Sequence, residues 1–229
     1  MFEELRERVF FANQELVRNN LITLTWGNVS EIDREAGVVA IKPSGVRYED
    51  MKASDIVIVD IYGNKVDGSL NPSSDTPTHL ELYRRFKTIG GITHTHSRWA
   101  TVFSQCGMAI PALGTTHADA FYGAVPCTRK MTKEEIFGEY EAETGKVIAE
   151  LFDEKTIDEI PSALVYSHGP FSWGKNAAKS VENAIILEEV AMMAWHTLIM
   201  NKDAEIQNEL LEKHYLRKHG EGAYYGQKG

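Results

Sequence analysis

Two histidines one residue apart, in Thr93-His94-Thr95-His96-Ser97, are the sharpest chemical signal in the chain. In an extended strand, residues i and i+2 face the same side, so His94 and His96 present two imidazoles together. A pair of neutral imidazoles on one face can grip a divalent transition metal. The plainer alternative is a polar strand face that carries two histidines without a ligand. His168 raises the odds of a site. It stands in Tyr166-Ser167-His168-Gly169-Pro170, where a strand stops at a Gly-Pro turn and can aim a side chain toward ligands on another strand. Asp75, in Ser73-Ser74-Asp75-Thr76-Pro77, is the best carboxylate to complete a set of four, although a helix cap is its ordinary role there. His79, one helical turn later, is a rival ligand or a support for the helix. Three histidines and a carboxylate suit Zn²⁺, with Mn²⁺ or Co²⁺ as substitutes. The lack of cysteine ligands argues for a catalytic ion with an open position rather than a structural one.

Three small-residue turns could surround an anion: Trp26-Gly27-Asn28-Val29-Ser30, Lys42-Pro43-Ser44-Gly45 and Asn71-Pro72-Ser73-Ser74. Gly27 and Gly45 permit close backbone approach, Asn28, Ser44, Ser73 and Ser74 offer side-chain donors, and Lys42 adds charge. Backbone N–H groups in such turns form anion-binding concavities. Taken singly each is an ordinary turn, and only convergence would make a phosphate site. No Walker-type loop or H-E-x-x-H helix is present, which disfavours a nucleotide triphosphatase and a zinc hydrolase.

The elements that must position these groups follow from periodicity. Residues 2–19 read as an amphipathic helix through Leu5, Val9, Ala12 and Leu16. Strands are expected over Leu21–Trp26, Gly37–Ile41 and Asp55–Ile61, with a hairpin-like turn at Gly63-Asn64. Thr76 as cap and Pro77 as first residue open a helix to about Phe86. A strand over Ile89–Ser97, a short helix over Trp99–Ser104 and a further strand at Ile110–Leu113 follow. Lys133–Asp153 and Asn176–Met200 read as long helices around a strand at Ala163–Tyr166, and Asp203–Arg217 as a final helix. The interleaving predicts an α/β single-domain sandwich over residues 1–229, with a central mixed, mainly antiparallel sheet flanked by helices.

Hydrophobic residues make up 43% of the 229, enough for one substantial core. The net charge of -9 argues against non-specific nucleic-acid binding, which wants a basic face. Cys106 and Cys127 form neither a C-x-x-C pair nor a finger spacing and read as reduced thiols. The charged N-terminus lacks the apolar stretch of a signal peptide, and no apolar run reaches the ~20 residues of a membrane span. A soluble, cytoplasmic protein with no membrane partner is expected.

Several motifs together carry a resemblance. Trp26-Gly27-Asn28-Val29-Ser30, Lys42-Pro43-Ser44-Gly45, Pro72-Ser73-Ser74-Asp75-Thr76 and His94-Thr95-His96-Ser97 are similar to those of the bacterial L-ribulose-5-phosphate 4-epimerases, within the class II aldolase/adducin-like family. Gly114-Thr115-Thr116-His117-Ala118-Asp119, Pro126-Cys127-Thr128-Arg129, His168-Gly169-Pro170-Phe171 and the ending from Arg217 to Gln227 extend it over nearly the whole chain. The resemblance implies Zn²⁺ held by Asp75, His94, His96 and His168. It implies sugar-phosphate contacts from Gly27, Asn28, Ser44, Gly45, Ser73 and Ser74, with Lys42 in addition. It also implies Asp119 and Tyr225 as acid/base residues, donated by a neighbouring subunit of a four-fold homotetramer. Nothing in the residues alone would single out those two, since Asp119 reads as a loop carboxylate and Tyr225 lies near a terminus. His214 and Arg217 could lend Tyr225 positive charge or form an exposed polar helix face.

The activity implied is interconversion of L-ribulose 5-phosphate and D-xylulose 5-phosphate by breaking and remaking the C3–C4 bond. The alternative is a class II sugar-phosphate aldolase, which differs in letting the aldehyde leave. The related aldolases carry glutamate where this chain has Asp75, so the shorter aspartate favours the epimerase. A non-catalytic adducin-like module is disfavoured by the intact histidine set.

Overall fold

Val38-Val39-Ala40-Ile41 and Val57-Ile58-Val59 are β-branched runs buried on both faces, so their strands need cover from both sides. Alternate residues divide between two cores. Val39, Val57 and Val59 join Leu80, Leu82, Tyr83 and Phe86 on one face, while Val38, Ala40 and Ile58 meet Leu5 and Val9 on the other. The structure, a computed structural model, describes residues 2–220 and 222–224.

In chain order the elements begin with helix α1 (Glu3–Arg18) and strands β1 (Asn28–Asp33), β2 (Val38–Ile41), β3 (Val57–Asp60) and β4 (Lys65–Asp67). Next come α2 (Thr76–Arg85), β5 (Gly91–His94), α3 (Arg98–Cys106), α4 (Thr115–Ala118), α5 (Lys133–Phe137), α6 (Tyr140–Ala149) and α7 (Thr156–Glu159). Strands β6 (Ser162–Leu164) and β7 (Pro170–Gly174) and helices α8 (Ala177–Met200) and α9 (Asn208–His219) follow. Seven strands form one sheet in the order β4-β3-β2-β1-β5-β7-β6, and every pairing between neighbours is antiparallel. This is the expected α/β layered architecture, with helices flanking an antiparallel sheet.

The centre of the sheet is tied to its helices by buried polar contacts. Asn13 on α1 donates to Val29 O and accepts from Val29 N–H, satisfying a backbone group of β1. The Glu31 carboxylate on β1 accepts from Ala177 N–H at 2.9 Å, which caps the start of α8, and Asn176 caps it again through Lys179 N–H. Thr93 faces α8 and meets Ser180 Oγ at 2.7 Å. Its neighbours Ile92 and His94 therefore face the opposite layer, where α2 lies.

Several expected boundaries move. The strand expected at Leu21–Trp26 is absent. Leu24 adopts a left-handed φ of 55°, and Trp26 N–H closes a turn on Thr23 O, so pairing starts only at Asn28. Asp75, not Thr76, takes the cap position of α2. Ile110 makes only an isolated bridge to Val125. The helix expected over Lys133–Asp153 breaks at Gly138 into α5 and α6. Gly169-Pro170 does not end the sheet, because Pro170 begins β7, which pairs with both β5 and β6. The last helix runs Asn208–His219, five residues later than expected at its start. Among the described residues no helix is long and apolar enough to cross a membrane.

Gly91 begins β5 against the backbone at the start of α8, where an added Cβ would lie 2.2 Å from Asn176 C and 2.3 Å from Ala177 N. No side-chain rotation can relieve a clash with backbone. Gly91→Ala should therefore cost about 1–3 kcal/mol, the usual scale for overpacking. A lowered urea midpoint is the expected result, and an unchanged one contradicts this close approach.

Candidate metal centre

The β1–β5 register sets Asn28 directly opposite His94, and the β5–β7 register sets His94 opposite Phe171. The His94 ring stacks on Phe171 with centroids 4.1 Å apart. Its Nδ1–H donates to Pro170 O at 3.0 Å, which leaves Nε2 with a free lone pair. His96 lies just past the strand end. His168 is delivered by the turn between β6 and β7, where Ser167 holds a left-handed φ of 57°. The ligand atoms of His94, His96 and His168 all fall within 4.8 Å of one another, although the three residues come from two separate segments. His94 is buried and the other two are partly exposed, so the cluster is open on one side.

Burial, with the neighbouring imidazoles, pushes His96 down to about 4 and His168 to about 3. Both are therefore neutral near pH 7, the form in which imidazole binds a metal. Asp75 borders the cluster at the start of α2. Its Oδ2 accepts from Asn28 Nδ2 at 2.7 Å, and Ser73 Oγ lies 3.5 Å away. Burial opposes its charge, but His94, His79 and the Asn28 amide together hold its carboxyl below the ordinary range. Three imidazoles beside a carboxylate fit a divalent transition metal in donor type and number.

The three turns do converge. Ser44 N–H donates to Asn71 O and Ser73 N–H to Lys42 O, both at 3.0 Å, with a bridge between Pro43 and Pro72. Asn28 reaches Ser73 Oγ at 3.1 Å, and Tyr48 Oη donates to Gly27 O at 2.9 Å. Gly27 sits where an added Cβ would be 2.7 Å from His94 O, at a φ of 106°. Ser44, Gly45 and Ser74 remain exposed at the turn tips. Lys42 is different. It is buried, its ammonium donates to Pro43 O and Val46 O, and it lies 4.8 Å over the Tyr48 ring. In this conformation it braces its own turn.

Asp119 lies elsewhere. It ends α4 and accepts from His214 Nδ1 at 3.0 Å, from Arg217 Nη2 at 2.8 Å and from Lys218 Nζ at 3.3 Å. Burial would raise its pKa, but Arg217, His214 and Lys218 outweigh that and lower it. A cavity of about 1000 Å³ is lined by Asp119 together with Ile89, Gly174 and Lys175. Gly174 pairs with Gly91, at the end of the β5–β7 ladder opposite His94 and Phe171. Three strand steps of ~3.3 Å set those ends about 10 Å apart. Within one protomer the fold brings the histidines, Asp75 and the three turns together, while the side-chain partners of Asp119 are His214, Arg217 and Lys218. Tyr225 lies outside the described residues.

Two neighbours of the cluster, Tyr140 and Glu188, carry no signal in the sequence, whereas Trp26 heads the Trp26-Gly27-Asn28 turn. Tyr140 Oη stands 3.4 Å from His168 Nδ1, and the half-exposed Trp26 ring lies 6.2 Å from His96. Glu188 on α8 accepts from Trp99 and Ala100 N–H and anchors the start of α3 just after His96. Lone aromatic or acidic residues on helices have no spacing that marks them, and only the folded chain brings them here.

His94→Asn should abolish stoichiometric binding of one Zn²⁺ or Co²⁺ per chain, read by metal analysis after dialysis, while the circular dichroism stays native. Full metal content in that variant would remove the histidine cluster as the site. Lys42 gives a test by pH. Burial lowers its pKa from 10.5 to about 8, so the folded state holds fewer protons there than the unfolded chain between those values. Stability should rise with pH across that window by at most ~1.4 kcal/mol per pH unit from this group. Lys42→Met should remove that slope in urea titrations, and an unaltered slope contradicts the assignment.

The sequence model described as "Class II Aldolase and Adducin N-terminal domain" matches residues 7–195. Among solved structures, an L-fuculose 1-phosphate aldolase is 28% identical with a TM-score of 0.76, over 92% of this chain and 94% of that one. The L-fuculose-1-phosphate aldolase of Thermus thermophilus is 22% identical with a TM-score of 0.69, over 89% of this chain and 100% of that one. That of Glaciozyma antarctica reaches a TM-score of 0.79 at 18% identity, over 96% of this chain and 84% of that one. The last two likenesses concern the fold alone. With the family's sequence model spanning most of its length, the chain belongs to the class II aldolase and adducin N-terminal domain family.

Proposed function

We propose that the chain is an L-ribulose-5-phosphate 4-epimerase acting as one domain over residues 1–229, with Zn²⁺ at His94, His96, His168 and Asp75. The observation that carries this reading is an aspartate, clamped by Asn28 at 2.7 Å, beside three clustered imidazoles. A short carboxylate held in this way is suited to remain a ligand rather than to swing away as a base. A divalent ion bound there would supply Lewis-acid stabilisation to the ketose carbonyl and the adjoining hydroxyl.

The protein's own groups do the rest. Carbon 4 of the substrate is not adjacent to the carbonyl, so simple proton removal cannot invert it. A base takes the proton of the hydroxyl on carbon 4, the C3–C4 bond breaks, and glycolaldehyde phosphate separates from a three-carbon fragment. The joined turns at Gly27, Asn28, Ser44, Gly45, Ser73 and Ser74, with Lys42 bracing them, keep the phosphate in place while the aldehyde presents its other face. Recombination gives D-xylulose 5-phosphate. Asp119 and Tyr225 act as acid and base toward the two faces. Asp119 is engaged by His214, Arg217 and Lys218 rather than by the histidine cluster, which supports supply of the acid and base by a neighbouring copy, in a cytoplasmic homotetramer with active sites between subunits.

The similarity to L-fuculose 1-phosphate aldolase at 28% identity favours a second reading, a class II sugar-phosphate aldolase on the same site. Supplying L-ribulose 5-phosphate separates the two. The epimerase forms D-xylulose 5-phosphate, stops on chelation and recovers with Zn²⁺. Release of free glycolaldehyde phosphate, or cleavage of L-fuculose 1-phosphate in its place, contradicts the epimerase and supports the aldolase.

A further inference from the structure

His79 is completely buried, and its Nε2 has no hydrogen-bond partner among the described residues. Its other ring nitrogen, Nδ1, lies 2.7 Å from Ser30 Oγ, which in turn lies 2.8 Å from Tyr83 Oη. Counting protons fixes the direction of this chain. Ser30 has one proton and two lone pairs; were both neighbours to donate to it, its own proton and the His79 Nε2 lone pair would both be left without a partner. If His79 donated from Nδ1, Ser30 would donate to Tyr83, and the fully buried Tyr83 hydroxyl would have no acceptor for its own proton. If Tyr83 donates to Ser30 and Ser30 to Nδ1, every proton is used except the one on Nε2. The second arrangement leaves fewer groups unsatisfied in a dry interior, where each such group is costly.

A second orphan lies close by. Asn28 Oδ1 is buried without a partner, while its Nδ2 is engaged by Asp75 and Ser73. Asn28 and Ser30 are two residues apart on β1 and so share the face that His79 covers. Asp75 precedes His79 by one helical turn, its carbonyl accepts from His79 N–H at 3.2 Å, and the two side chains lie within electrostatic reach. A buried donor and a buried acceptor thus flank one carboxylate. The opposite tautomer would leave a lone pair, not a donor, on the partnerless Nε2 within electrostatic reach of that negative charge.

We propose that His79 is a positioning residue: the Tyr83–Ser30 chain holds it as the Nε2–H tautomer, and that N–H fixes the Asp75–Asn28 pair through one water at the edge of the three imidazoles. His79, like Asp75, stands outside the group of three histidines whose ligand atoms lie within 4.8 Å of one another. The role in metal binding rests on the metal centre proposed above, whereas the tautomer does not.

Nitrogen NMR of histidine-labelled, metal-free protein reads the tautomer directly. The wild type should show His79 protonated on Nε2 alone, and Tyr83→Phe, which removes the first donor, should let the Nδ1–H form appear. An Nδ1–H ring in the wild type, or no change in Tyr83→Phe, overturns the relay. Zn²⁺ affinity by chelator competition reads the positioning. His79→Phe should bind about tenfold to a hundredfold more weakly, the usual scale for partners of metal ligands. His79→Gln, whose amide N–H reaches the Nε2 position, should recover most of that loss. Equal affinity in all three proteins overturns the positioning role. A wild type that takes no Zn²⁺ removes the metal centre and the positioning role together, while the NMR result still decides the relay.

Discussion

The site depends on the antiparallel register that sets Asn28 of β1 against His94 of β5. A slip of β1 by one residue would turn Asn28 to the opposite face, toward α8, and away from His94. With the register as it is, the Asn28 amide spans from the strand to the start of α2 and holds Asp75 beside the imidazoles. The glycine before it lets the chain pass within contact of the His94 carbonyl, which no other residue could do at that position and φ. Helices on both faces keep this register. Asn13 occupies the Val29 backbone from one side, and the α2 core closes over Ile92, Phe171 and Trp173 from the other.

Around that constraint the electrostatics are built from opposed tendencies. Burial keeps the imidazoles of His96 and His168 uncharged, while hydrogen bonds and neighbouring rings keep Asp75 an anion despite its burial. A donor set of this kind suits a divalent cation. The chain's net charge of -9 does not conflict with an anionic substrate, because a phosphate would meet the exposed turn tips at Ser44, Gly45 and Ser74 rather than the global field. The carboxylate of Asp119 sits among His214, Arg217 and Lys218, a charged assembly distinct from the histidine cluster. A neighbouring copy is a natural way to bring the two assemblies to one substrate.

Much of this was legible in the sequence, for a physical reason. The spacing of His94 and His96 is a statement about strand geometry, and it survives folding unchanged. The layered α/β class followed from short β-branched runs between helical ones. What could not be read was distance across the sheet, so the meeting of His168 with the other two, and of the three turns with one another, needed the register. Local chemistry also misled. Leu24 enters the left-handed region that its type rarely adopts, which cancelled an apparent strand, and Gly138 broke a pattern that looked like one long helix. Gly169-Pro170 looked like an end, yet a proline can begin a strand where its missing N–H is not needed. Asp119 came into view through the resemblance alone, because a carboxylate in a loop carries no periodic signature.

The central claim is that three histidines and one aspartate, brought together by that register, form a single metal centre. Soaking crystals of the protein in Zn²⁺ and collecting at the zinc absorption edge tests it most directly. The account predicts one strong anomalous peak per chain, within coordination distance of His94, His96, His168 and Asp75. A peak elsewhere, or none at the histidines under conditions where zinc is bound in solution, would contradict it.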